Sequence, residues 1–306
     1  MKLPILKYLL PFLAFSYATA QKDVQIKPLE KSLLWEISGN GLTKPSYLYG
    51  TIHMLCKDDA VLSDSLAAII EKTDKVYLEV DMDNMIEMLG ALTRMKMKGD
   101  TTLADLLSKE DYEKVKSYME NANTLLPFSV LESYKPMLVA SLLLESGIGC
   151  DEPVAMEQLI LSKAKQSGKK VDGLESMAYQ LSIFDSIPYK VQAAELLKYV
   201  ETGAGSSAAD KEFEEMMEAY KAQDLEKLGS LISKSESSIN EYADLLLNNR
   251  NRNWVNKLKT IMPDKPVTIA VGAGHLPGEK GVISLLRKEG YTVRPVKNKI
   301  AAQRVI

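Results

Sequence analysis

The chain has few of the residues that usually announce a mechanism. Two of its 306 residues are histidine, His53 and His275, and two are cysteine, Cys56 and Cys150. Two cysteines cannot build a disulfide-dense scaffold or a four-cysteine zinc site. No His-Glu-x-x-His helix occurs, so zincin mechanics cannot be borrowed. The formal charge is only -3 and basic residues are scattered among acids, which excludes a nucleic-acid surface. Beyond the first twenty residues no apolar run is long enough to span a membrane. What is present is an ordinary globular composition, 46% hydrophobic and 26% charged, which excludes wholesale disorder.

The first twenty residues have the order of a secretory signal peptide: Lys2 and Lys7, an apolar run over 8–15, then Ala18-Thr19-Ala20. Pro4 and Pro11 interrupt the segment and argue against an uncleaved anchor. Cleavage after Ala20 and an exported, periplasmic or extracellular chain are expected. Export makes a Cys56–Cys150 disulfide the favoured use of the two thiols, worth about 4 kcal/mol for a loop of that length. Two unrelated free thiols are the alternative.

The two histidines occupy the same place in two similar units. Residues 267–271 read as a buried strand, followed by a glycine turn carrying His275, a helix over about 278–288 and a strand from Tyr291. Near the start, a strand over 47–50 leads into Gly50-Thr-Ile-His53, a helix over 63–71 and a strand over 75–80. On that last strand Val76, Leu78 and Val80 share one face, and Tyr77, Glu79 and Asp81 the other. Between the units, about 82–262 is mostly helical, with a short strand ending at Gly173-Leu-Glu175 and a long helix predicted over 238–262. The expected fold is α/β (α+β): split βαβ-like halves, about 33–81 and 267–296, form one mixed sheet in a single domain over 21–306, with a large helical insertion. Turns at the carboxyl ends of such strands are where open α/β sheets bind ligands.

Two imidazoles and a carboxylate at strand ends are a minimal ligand set for a catalytic divalent metal, and Glu79 is the nearest carboxylate. A metal-free site, with one histidine as general base and a glutamate orienting it, stays open. So does a bland pair of surface or core-lining histidines. The glycine three residues before each histidine is expected to let the backbone bend sharply.

The pair Gly50-Thr-Ile-His53 and Gly272-Ala-Gly-His275, with Leu78-Glu79, Gly173-Leu-Glu175, the Arg250-Asn-Arg-Asn-Trp254 helix and the terminal Gly-His-Leu-Pro-Gly block, resembles the TraB/GumN family over about 30–297. That family includes the Tiki metalloproteases and the TraB pheromone-shutdown proteins. The resemblance implies a metal-dependent hydrolase, a peptidase in the Tiki branch, with manganese or cobalt favoured and zinc or iron also compatible. The site it implies is His53, Glu79 and His275, acting on a peptide or protein substrate. For Glu175, the roles of further ligand, partner to a histidine N–H, or helix-terminal carboxylate stay open. Arg250 is expected to bind a substrate carboxylate, to stabilise an oxyanion, or to pair with Glu79 or Asp81. A binding-only protein that sequesters peptides, and a metal-free esterase-like hydrolase, are the alternatives. Oligomeric state cannot be read from the sequence.

Overall fold

The computed structural model describes residues 29–298 apart from 123, 125, 148–151, 203–206 and 235–237. The leader with Ala20, and Cys150, lie outside the described residues. Among the described residues eight strands appear in order: β1 (Leu34–Ser38), β2 (Ser46–Thr51), β3 (Leu55–Cys56), β4 (Lys75–Leu78), β5 (Pro153–Val154), β6 (Lys170–Gly173), β7 (Val267–Gly272) and β8 (Thr292–Pro295). Six of them form one mixed sheet in the order β6-β4-β7-β2-β1-β8, while β3 and β5 pair separately. The pairs β6-β4, β4-β7 and β7-β2 are parallel, and β2-β1 and β1-β8 are antiparallel.

The local reasons are visible in the residues. Five consecutive residues of β7, Val267 to Val271, are buried, as a strand covered on both faces requires. Gly39, Asn40 and Gly41 take positive φ and turn β1 into β2. Ser63 caps the helix Asp64–Lys72 by accepting from the Leu66 N–H. That helix and Val282–Lys288 are the crossovers that return the chain to the sheet, burying Leu66, Ile70, Ile283 and Leu286. Trp35, Leu48, Val76, Ile269 and Trp254 belong to the same core, and a second apolar cluster around Leu103, Leu131, Val139 and Leu196 lies within the insertion.

Two local expectations need correction. The long helix predicted over 238–262 is three pieces: a 3-10 turn Ser238–Tyr242, a π turn Asp244–Asn248 and the α-helix Asn249–Ile261. The apolar repeat does not distinguish these helix types over one turn, so the break is invisible in the pattern. Within the block expected to be mostly helical, Pro153 and Val154 are extended and pair with β3, and the helix after them begins at Met156.

Candidate active site

The parallel register sets Gly50 opposite Val271 and Thr51 opposite Gly272, so the two Gly-x-x-His turns leave neighbouring strands at the same end. Glu79 follows β4, on the other side of β7. The glycines contribute room. A Cβ on Gly50 would stand 3.1 Å from Ala273 Cα, and one on Gly272 would stand 3.3 Å from Glu79 Oε1. Neither takes a positive φ, so the sharp bend expected of them is replaced by close packing of one turn on the other.

Arg250, in the first turn of the helix Asn249–Ile261, joins the acids. Its guanidinium donates to Glu79 Oε2 at 2.6 Å, to Glu175 Oε1 at 2.9 Å and to the Leu246 carbonyl at 2.9 Å. It stacks on Trp254, whose indole N–H donates to Glu175 Oε2 at 2.9 Å. Arg250 therefore pairs with Glu79 and Glu175, and its other sequence-level partner, Asp81, is not among these contacts. Glu79 is completed by the Gly272 N–H on Oε1 at 2.8 Å and the Gln180 amide on Oε2 at 3.0 Å. Glu79, Arg250 and His275 are 7%, 7% and 5% exposed, so these are interior interactions.

The hydrogen bonds also fix the histidine tautomers. Asn251 Nδ2 faces the carbonyls of His275 and Lys280 and must donate to them. Its Oδ1 therefore accepts from His275 Nδ1–H at 2.6 Å. That leaves His275 Nε2 as a lone pair, 3.2 Å from Arg250 Nη1, which donates to it. His53 Nδ1 lies 2.9 Å from the buried carboxylate of Glu157, which also accepts from the Thr51 hydroxyl at 2.6 Å. An ionised carboxylate only accepts, so His53 Nδ1 carries a proton.

These settings drive the two histidines apart. The Glu157 hydrogen bond raises His53 to about 9, although 70% of its side chain is exposed. Burial, helped by the charges of Arg250 and His53, lowers His275 to about 4. Burial alone would raise the Glu79 carboxyl, but the charges of His275 and Arg250 and the Gly272 N–H hold it down to about 2. Burial raises Glu175 despite the Arg250 contact.

His53, Glu79, Arg250 and His275 line one cavity of about 560 Å³, with Leu138, Met177, Ile183 and Phe184 on an apolar wall. Polar groups converging beside apolar lining suit an organic ligand with a reactive polar group. For a divalent ion the donor chemistry is suitable, since a neutral imidazole lone pair and an ionised carboxylate are present. The arrangement is not: Arg250 lies against both Glu79 Oε2 and His275 Nε2, so an ion and Arg250 in this position exclude each other. Among the described residues no three His, Cys, Asp or Glu side chains are grouped to hold a metal.

Sequence reasoning missed Glu157, Asn251 and Gln180. Their only local marks are an acid in the first turn of a helix after Pro153, and an asparagine next to Arg250. Cys56 sits on β3 opposite Pro153 of β5.

The mixed α/β sheet thus places two histidine turns and a buried carboxylate–arginine cluster beside one cavity. The profile of the TraB/PrgY/gumN family matches residues 33–295, and the chain belongs to that family. It is similar to the zebrafish (Danio rerio) protein named Metalloprotease TIKI1, 24% identical over 316 residues, covering 86% of this chain and 62% of that protein. The human TIKI1 metalloprotease is 23% identical, with 90% and 65% covered. A TIKI homolog of Amphimedon queenslandica is 23% identical, with 95% and 66% covered. The chain thus spans less than two thirds of the length of these relatives. No solved structure matches it.

Proposed function

We propose that the chain is an exported, metal-dependent hydrolase that cuts peptide bonds in a peptide or protein substrate. The observation that carries this reading is the convergence of His53 and His275, more than two hundred residues apart, on adjacent parallel strand ends beside Glu79 and one cavity. The metalloprotease names of the relatives support the reaction class and a divalent metal. His53, Glu79 and His275 are the proposed centre, and an ion there requires Arg250 to leave Glu79 and His275 while Glu175 keeps hold of it. The apolar cavity wall supports a peptide side chain as the bound group. Export rests on the leader ending at Ala20. Among the described residues no helix is long and apolar enough to cross a membrane.

The position of Arg250 favours a second reading, a hydrolase that works without an ion. In it Arg250 stays on Glu79 and offers its guanidinium to a developing oxyanion. Elemental analysis of the purified chain, beside a His53→Ala/His275→Ala double variant, separates the two. Near-stoichiometric manganese, cobalt, zinc or iron that vanishes in the variant supports the metallopeptidase. Cleavage of a peptide library with no ion bound, and undiminished by chelator, supports the second reading. Peptide binding without cleavage, retained in the double variant, would replace both with sequestration.

A further inference from the structure

Glu157 is buried, yet one of its carboxylate oxygens has no stabilising partner. Oε1 accepts from Thr51 and His53, while Oε2 makes no hydrogen bond among the described residues. A buried, unsatisfied polar atom costs about 1–3 kcal/mol, so stability alone does not account for a glutamate here. The chain nevertheless builds a dedicated support for it. β3, just after His53, pairs with β5, and the Met156 N–H then donates to the Ile52 carbonyl at 3.2 Å. These two attachments fix the start of the helix Met156–Gln166 against the His53 turn, with Glu157 in its first turn. There the positive end of the helix favours a carboxylate.

The second histidine turn repeats the arrangement with a different chemical group. His275 Nδ1 is bonded by Asn251, which is also in the first turn of an insertion helix. Each Gly-x-x-His ring is thus held at Nδ1 by a side chain delivered from the helical block, one by a neutral amide and one by a carboxylate.

We infer that Glu157 is a positioning residue of the active site: its carboxylate holds the His53 ring by Nδ1–H, in the imidazolium and the neutral form alike, leaving Nε2 turned to the reaction, and so gives the two histidines different tasks. The role in turnover rests on the hydrolase reading above, but the orientation of the ring does not.

The orientation can be observed directly, because a chain with two histidines gives only two sets of imidazole ¹⁵N resonances. Spectra of the full chain, treated with chelator, are compared with Glu157→Leu and Glu157→Gln, and a His53→Gln variant assigns the signals. With the spectra taken above pH 9, where the wild-type ring is neutral, the His53 ring nitrogens of Glu157→Leu are expected to move to the averaged shifts of a free imidazole, with those of His275 unchanged. Unchanged His53 shifts would overturn the inference. Glu157→Gln keeps an acceptor of the same shape and serves if the leucine variant fails to fold. It should retain the His53 tautomer, with kcat lowered about 10–100-fold and KM little changed. A kcat within twofold of wild type in a folded Glu157→Gln protein would reduce Glu157 to a structural acid and overturn the inference. If the wild-type chain cuts no peptide, the hydrolase reading fails, and the leucine spectra still decide whether Glu157 orients His53.

Discussion

Replacing Arg250 by methionine removes one cation from two enclosed carboxylates, and the consequence can be worked out. The Glu79 carboxyl is held near 2 against an ordinary 4.5, a difference worth about 3 kcal/mol of stability at neutral pH. Breaking a buried pair by removing one partner generally costs about 3–5 kcal/mol, because the remaining charge is stranded. Here Glu175 is stranded as well, at 2.7 Å from the guanidinium that is lost. For a chain of this size the melting temperature should fall by about 6–20 °C. The pH dependence gives the sharper test. Since the folded value of Glu79 lies below its unfolded value, its stabilisation is present above about pH 4.5 and is lost as pH falls toward 2. In Arg250→Met burial dominates, so the carboxyls take up protons readily and the deficit against wild type should be largest near pH 7. It should shrink steadily on acidification. Arg250→Lys, which keeps the charge and loses the fork, should fall between the two. Urea denaturation at several pH values between 4 and 8 is the assay. A loss below 1 kcal/mol at pH 7, or a deficit that does not change with pH, would refute the reasoning.

The histidines give stability changes of opposite sign. His275, lowered to about 4 from an ordinary 6.5, should make wild-type stability fall as pH drops through that interval, and His275→Gln should flatten the acid limb of a stability–pH curve. His53, raised to about 9, contributes stability below pH 6.5 that is lost as pH rises toward 9, a slope that should disappear in His53→Gln. Lys135, 1% exposed and bonded to Asp185 at 2.9 Å and to the Leu181 carbonyl, predicts a loss of about 3–5 kcal/mol in Asp185→Asn, with the Lys135→Met/Asp185→Asn double variant less damaged. Equal denaturation midpoints for the two would contradict this. Gly50→Ala forces a methyl against Ala273 and should cost about 1–3 kcal/mol, read in the same way. Thiol alkylation before and after reduction tests the Cys56–Cys150 bridge, which predicts no reactive thiol until reductant is added.

The sheet was legible because its information is local. Val267 to Val271 is too continuously apolar for a strand with one wet face, and the repeated Gly-x-x-His turns mark two parallel strand ends. The placement of Arg250 was half legible: its charge suggested an acidic partner, and only the fold selects Glu79 and Glu175 over Asp81. Glu157 was illegible because an acid in the first turn of a helix is ordinary at any solvent-exposed N-terminus. What distinguishes it is a short strand pair, β3 with β5, formed by two residues on each side, too brief for any periodicity to register. The π turn before Arg250 was hidden for a related reason, since one added residue per turn leaves the apolar spacing almost unchanged.

β7 lies between β4 and β2 in space, yet among the described residues it comes long after both along the chain, the seventh of eight strands. The first half of the sheet therefore has a gap in its middle for as long as Val267–Gly272 is unavailable, and β4 and β2 have no contact to make with each other. Such wiring places the decisive contacts at large sequence separation, which slows folding. It also means that His275 arrives with the strand that closes the sheet, so a chain that has not finished folding has no assembled centre. For an enzyme that would cut peptides, late assembly keeps the blade sheathed until the molecule is complete.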